Sequence, residues 1–512
     1  MRIGIDVGGT NTDAILMDGN QVMATYKSPT TANVTDGIVS ALYGLLNQTR
    51  VSRAQVQGVM IGTTHFTNAV VERQRLERTA CIRLGLPATT SLPPFSDWPD
   101  ELLTAIDGTG YLAHGGHEFD GRVITPIDEA EIHRIAEDIQ ARGIRCVAIS
   151  SVFSPVNADF EDRAGAIVKA VIPDARVTLS HTIGRIGLLE RENAAIMNSC
   201  LSRLAEKTVQ GFRTALADMQ FTAPLYISQN DGTLISAEFA QTYPVLTFAS
   251  GPTNSMRGAA FLTGLRDAIV IDVGGTTTDI GVLQHGFPRP SGLTSAVGGV
   301  RTNFRMPDVE SIGLGGGTIV RVEPFRVGPQ SVGYELTTRA RVFGGDTLTT
   351  TDVIVAAGRA EIGDKSAVAG LDQGLVRCVF DRIEAMINQT VDQVKTSAEP
   401  IPAVLVGGGS ILIQRDIAGI SEIVRPPHFA VANAIGAAIA QVGGELERIF
   451  SLAETSREQA LELARQEAVA RAVTAGAARN TVEIVEIEEV PLAYLPGSAT
   501  RIRVKAVGDL GA

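Results

Sequence analysis

Residues Ile3–Asp13 read IGIDVGGTNTD, and residues Val270–Asp279 read VIDVGGTTTD. Each is a short β-branched run, an aspartate, Gly-Gly-Thr, one more polar residue and Thr-Asp, after which apolar residues resume (Ala14–Met17 and Ile280–Leu283). The copies stand about half a chain apart, and a match at DVGGTxTD is too specific for two unrelated glycine turns, so it marks an internal duplication.

The unit can be read physically. A buried strand ends at Asp6 or Asp272, and the tight turn Gly8-Gly9 or Gly274-Gly275 then offers bare backbone N–H groups to an anion. Thr10, Asn11 and Thr12, or Thr276, Thr277 and Thr278, add polar side chains before the chain returns as a second strand. Such a hairpin is neither a Walker loop nor a Rossmann turn, both of which run into a helix. Two of these turns facing each other across a cleft would hold a polyphosphate from both sides. Asp6 and Asp272 would hold Mg²⁺ through water, or one of them would orient the acceptor; both roles stay open. A third glycine cluster, Gly407-Gly408-Gly409-Ser410, follows the apolar strand Ile401–Leu405 and would let backbone lie against a flat ring or ribose. Ala432–Ala438 reads as a small-residue helix that packs closely on another helix.

Composition bounds the rest. The chain has 512 residues, 44 basic and 56 acidic, a net charge of −12, 44% hydrophobic and 20% charged content, which fits a globular protein of two or three domains. The acidic balance argues against a nucleic-acid backbone or an anionic membrane as the main partner. Cys81, Cys146, Cys200 and Cys378 show neither pairing nor metal-ligand spacing, as in a reducing cytosol. Met1–Asp6 lacks the apolar stretch of a secretory signal, and Phe429–Gly444 is too short and too interrupted for a membrane span. A cytoplasmic location is expected.

On these motifs the chain resembles the actin, sugar kinase and Hsp70 ATPase superfamily over roughly residues 1–445. DVGGTNTD is similar to its phosphate-1 loop, DVGGTTTD to its phosphate-2 loop and VGGGS to its adenosine loop. Between them, Gly62-Thr63-Thr64-His65-Phe66-Thr67-Asn68-Ala69 through Glu72-Arg73 resembles a segment of the hydantoinase A/5-oxoprolinase family. Gly115-Gly116, Pro126–Glu131, Ser228–Thr233, Ser250-Gly251-Pro252 and Ser311–Ile319 continue that resemblance. Two departures stand out: Glu310 occupies a position where members often carry His, and Ser331–Glu335 replaces a Cys-containing segment.

The resemblance implies an α/β fold of duplicated RNase H-like domains around an ATP cleft, plus a C-terminal helix and β-hairpin. The expected units are a first domain at 1–190, a linking helical segment at 191–225, a second domain at 226–443 and the tail at 444–512. It implies ATP and Mg²⁺, with the Gly-Gly-Thr turns and Gly407–Ser410 on the nucleotide and Thr64, His65, Asn68, Gly315 and Gly316 toward the substrate. The implied chemistry is phosphorylation of a cyclic amide's carbonyl oxygen to drive ring opening, shared with a hydantoinase B-like partner subunit in an oligomer. A small-molecule kinase or the ATP-using subunit of a ketone carboxylase would use the same loops, and the superfamily also contains nucleotide-dependent chaperones.

Other features carry bland and sharp alternatives. His65 and Asn68 either touch substrate or support its neighbours. His114 and His117 read as a surface loop ahead of a metal pair. Arg185 and Glu190–Asn193 open a helix as an interdomain salt-bridge network or a substrate contact, and Trp98 marks a lid or a core anchor. Glu445–Ala475 reads as one helix from its Ala, Glu, Leu and Arg content. Acidic Thr481–Val490 and basic Thr500–Val507 read as paired strands, either a capping hairpin or an edge for another subunit.

Overall fold

The computed structural model describes residues 1–8, 10–29, 34–49, 51–292, 295–453, 455–492 and 498–511. Gly9, and Pro496-Gly497 between the two tail strands, lie outside the described residues.

Both copies of the repeat are antiparallel hairpins. Arg2–Val7 pairs with Asn11–Asp18 and Ala268–Val273 with Thr278–Gln284. Each first strand also pairs in parallel with another strand, Gly58–Thr63 in one half and Ile401–Val406 in the other. The β-branched runs make this possible, since Ile3, Ile5, Ile269 and Ile271 are all fully buried and feed two separate cores. The fold is α/β with duplicated RNase H-like halves.

The first half's sheet has nine strands, in the order 483–491, 499–508, 441–451, 233–236, 225–228, 58–63, 2–7, 11–18 and 21–29. Strands from 225–236 and from the tail therefore complete the sheet that the N-terminus begins. The second sheet has six strands and is built from 268–288, 309–312, 401–406 and 420–424. A separate four-stranded parallel sheet (Thr109–His114, Thr79–Leu86, Cys146–Ser151, Arg176–Leu179) is inserted after Gly58–Thr63. The long helix Leu188–Asp218 joins it to the rest: Ala194–Ala205 pack with Cys81 and Ala148, whereas Val209, Phe212 and Leu216 pack with Ile3 and Ile61.

The expectation of one helix over Glu445–Ala475 is corrected at its start. Gln441–Ser451 is a strand, and the helix runs Arg457–Thr474 behind a Ser456–Gln459 capping box. Composition favours helix there, but Val442, Gly444, Leu446 and Phe450 alternate into the core at period two, and pairing with Ala499–Gly508 wins over propensity. The tail is thus no appendage. Of the charge pairs expected between Glu483, Glu486, Glu488 and Arg501, Arg503, Lys505, Glu488 stands opposite Arg503 and Glu486 opposite Lys505, with Arg501 reaching Glu488 at 3.0 Å, whereas Glu483 faces Val507.

Between the two large sheets, the helices Ser250–Thr263 and Ala432–Ile439 cross at backbone distance. A Cβ on Gly258 would lie 1.9 Å from the Ala432 carbonyl oxygen, and one on Gly436 would lie 1.8 Å from that of Asn254. Met256 and Ala259 pack into the second sheet with Val270 and Val404, while Ala434, Ile435 and Ala438 pack on Ile15 and Met17 of the first. This crossing is the joint on which the two halves meet.

Candidate functional site

The two hairpin turns close with the same hydrogen bond: Gly8 N donates to Asn11 O at 3.0 Å and Gly274 N to Thr277 O at 2.9 Å. They face each other directly, because a Cβ on Gly275 would stand 2.5 Å from Oγ1 of Thr10. The third glycine turn packs on the second hairpin. A Cβ on Gly407, which has φ +80°, would lie 2.2 Å from Asp272 Oδ1, and one on Gly409 would lie 2.5 Å from the Gly274 carbonyl oxygen. Gly408 meets nothing within 4 Å and leaves its face open. These turns line a cleft of about 780 Å³ between the halves.

Asp6, Gly8, Thr10, Asn11, Asp272, Gly274, Gly275, Thr276, Thr277 and Gly407–Gly409 all line that cleft, as do Thr64, Asn68 and Gly316. Four expected contacts sit behind it instead. Thr12 is fully buried in the returning strand, and Thr278 is buried with its hydroxyl donating to Leu314 O at 2.7 Å. Ser410 is buried under its own turn. Gly315 supports the second hairpin rather than facing the cleft: its Cβ position would lie 2.6 Å from Gly275 C, and the adjacent Gly316 and Gly317 amides donate to Gly274 O and Gly275 O. His65 is not among the lining residues; its Nε2 lies 3.3 Å from the Arg75 guanidinium, and burial followed by that charge lowers it to about 4.

Two carboxylates escaped the sequence reading. Hairpin register sets Asp13 opposite Asp6 and Asp279 opposite Asp272, and both line the cleft. The signal was present, since each repeat closes on an aspartate, and an antiparallel turn must return that residue beside the first one. Burial, with the charges of Asp13 and Asp272, pushes Asp6 up to about 8. Burial raises Asp279 to about 7 and also raises Asp13 and Asp272. Each has polar support: Asn433 Nδ2 donates to Asp6 at 2.6 Å, Ser255 Oγ to Asp272 at 2.5 Å, Ser311 to Asp279, and Lys27 Nζ lies 2.5 Å from Asp13, which Asn433 also supports. Asn433 and Ser255 come from the two crossing helices, a contact that no linear pattern announces.

This donor set suits a hard divalent cation, as all four acids are oxygen donors and burial holds all four above the carboxylate range. No group of three or more His, Cys, Asp or Glu among the described residues forms a self-contained metal site. The fit is therefore to a cation shared with phosphate and water.

The remaining expectations resolve locally. Glu192 forms a buried ion pair with Arg83, Arg191 donates to Ser180 and Ser151, and Trp98 Nε1 donates to Asn193 at 2.8 Å. This cluster anchors the long helix to the inserted sheet, and Trp98 is part of its core. His114 pairs with Glu131 at 3.1 Å and His117 is buried against Phe160. Asp128 caps its helix, but Glu131 turns to His114 rather than back to the cap. No helix among the described residues is long and apolar enough to cross a membrane.

Fold and cleft define a class: duplicated α/β proteins whose paired Gly-Gly-Thr hairpins face each other at an interdomain site. Within it, the hydantoinase/oxoprolinase N-terminal region matches residues 2–172 and the hydantoinase/oxoprolinase region matches residues 191–394, and the chain belongs to this family. It is 28% identical over 390 residues to the caprolactamase subunit alpha of Pseudomonas jessenii, a match that covers 70% of this chain and 54% of that subunit. The chain thus spans about half the length of this relative. The crystal structure of the ATP-dependent caprolactamase from the same organism superposes with a TM-score of 0.76 at 19% identity, covering 100% of this chain and 88% of the other. The nucleotide-free structure of acetone carboxylase, from work on ATP-dependent acetone carboxylation, superposes at 0.77 with 16% identity and the same coverage.

Proposed function

We propose that this chain is the ATP-using component of a cyclic-amide hydrolase, transferring the γ-phosphoryl group of ATP to a ring carbonyl oxygen. The observation that carries this is the face-to-face approach of Gly275 and Thr10, which leaves the two turns gripping one site from opposite halves. Backbone amides of the turns, Thr10, Asn11, Thr276 and Thr277 would bind the phosphates, and the open face of Gly408 would take the nucleoside. Mg²⁺, held by Asp6 and Asp272 with phosphate and water, would neutralise the charge that builds on the transferred group. Asp13 and Asp279 would steady its water ligands. Thr64 and Asn68 would orient the amide.

An unactivated amide is a poor electrophile with a poor leaving group. Phosphoryl transfer releases ADP and gives an imidate phosphate. Water then adds to its carbon, the C–N bond breaks as nitrogen takes a proton and leaves an acyl phosphate, and a second water attacks the acyl carbon so that phosphate departs with the former carbonyl oxygen. The family and the caprolactamase likeness support this chemistry, and that relative's being a subunit alpha supports a multi-subunit assembly; the partner would be a hydantoinase B-type subunit that takes the second half-reaction, in an oligomer in the cytoplasm. Closure of the halves about the crossing helices would exclude water during transfer.

The test is phosphate release from Mg-ATP by the chain, alone and with the partner subunit, across lactams, hydantoins and ketones. A cyclic amide is expected to stimulate release, and Asp272→Asn to abolish the stimulation. Stimulation by ketones alone would contradict the proposal.

A further inference from the structure

The apolar wall of the cleft is built from two different cores. Leu336, Ile354, Ile362, Ile411 and Leu412 belong to the core of the second half and stand with the Gly407–Gly409 turn. Phe248 and Met306 belong instead to the core around Phe66 and Val70 of the helix His65–Glu72. Thr67 Oγ1 of that helix donates to Phe248 O at 2.6 Å, which locks this second wall beside Thr64 and Asn68. The cleft accordingly has a nucleoside end and an acceptor end, with the paired hairpins between them.

Charge along the cleft is one-sided, with the four hairpin aspartates at its middle and Glu72 at the acceptor end. The described lining residues carry five carboxylates (Asp6, Asp13, Glu72, Asp272 and Asp279) and one cation, Lys27, which already pairs with Asp13 at 2.5 Å. Thr64, Asn68 and Glu72 recur every four residues, so Glu72 shares the helix face that looks into the cleft. Arg75 is not a lining residue; its guanidinium lies 3.3 Å from His65 Nε2 and 3.5 Å from Glu72 Oε2. Recognition of a substrate carboxylate calls for a free guanidinium or ammonium, and an unmatched one would meet like charge.

Resting on the function proposed above, we infer that the acceptor is an uncharged cyclic amide. Its ring lies against Phe248, Met306 and Pro307, its polar edge faces Thr64 and Asn68, and the same ring bearing a carboxylate is excluded.

Calorimetric titration of the full chain with Mg-AMPPNP tests this with matched pairs: 2-pyrrolidinone against 5-oxoproline, 2-piperidone against its 6-carboxylate, and hydantoin against hydantoin-5-acetate, with acetone and acetophenone alongside. The neutral member of a pair is expected to bind at least about tenfold more tightly. Equal or tighter binding of the carboxylate member would overturn the charge rule and leave the ring-opening function standing. Binding of ketones alone, or of no member of the panel, would overturn the function and this inference with it.

Discussion

Asp6 and Asp272 end buried strands, where a negative charge is poorly solvated, and both titrate above the ordinary carboxylate range. Such groups serve binding at the expense of the fold. Asp272→Asn is therefore expected to leave the thermal midpoint unchanged or raised while substrate-stimulated phosphate release falls about a hundredfold or more; a midpoint several degrees lower would contradict this. His65 gives the pH dependence. Folded, it stays neutral down to about 4, whereas the unfolded chain takes up the proton near 6.5, so stability is lost as pH falls through that window. Its share is about 2 kcal/mol between pH 6.5 and 5. Denaturant titrations of His65→Gln at pH 7 and pH 5 should show a smaller acid loss than wild type, and an equal loss would refute the assignment. At this scale the sequence made Asp6 and Asp272 legible because a Gly-Gly-Thr turn follows each. Asn433 and Ser255 were not legible: Asn433 meets Asp6 from 427 positions away, and Ser255 reaches Asp272 only through the packing of its helix against that strand.

Glycine placement separates packing from binding at the scale of elements. Gly436 and Gly258 let two helices touch at the backbone, so Gly436→Ala drives a Cβ into the Asn254 carbonyl and is expected to cost about 1–3 kcal/mol or more in denaturant unfolding. Gly408→Ala is the contrast. Its Cβ meets nothing within 4 Å, so stability should stay within about 0.5 kcal/mol, while nucleotide affinity drops at least about tenfold in a fluorescent-ATP titration. Loss of stability without loss of affinity would contradict the assignment of that turn. The hairpins and the close-packed helix were readable because repeat, turn and small-residue signals are local. Gln441–Ser451 was not, because its Glu, Leu and Arg content favours helix and its neighbours Ala499–Gly508 and Thr233–Ser236 make it a strand.

Viewed whole, the tail strands tie the first half to the second. Arg305, from the second half, reaches Glu445 and Glu486 at 2.5 Å each, and Arg185 lies 3.3 Å from Glu447. Against the effect of burial, Lys505 and then Arg305 hold the Asp231 carboxyl well below the usual range. Arg305→Met should strand these acids and lower stability by about 3 kcal/mol, read from the denaturant midpoint; an unchanged midpoint would show the network to be superficial. The duplicated fold was legible from one repeated octapeptide, whereas the tail's place in the first sheet depends on the pairing of Thr233 and Leu234 with Gln441 and Val442, far apart in the chain.

The central claim is that the cleft transfers phosphate to a carbonyl oxygen, and oxygen labelling tests it most directly. A cyclic amide carrying ¹⁸O at its carbonyl is turned over with Mg-ATP by the chain and its partner subunit, and the released phosphate is weighed by mass spectrometry. One labelled oxygen in that phosphate is the predicted result. Label retained wholly in the carboxylate product, with unlabelled phosphate, would contradict the account.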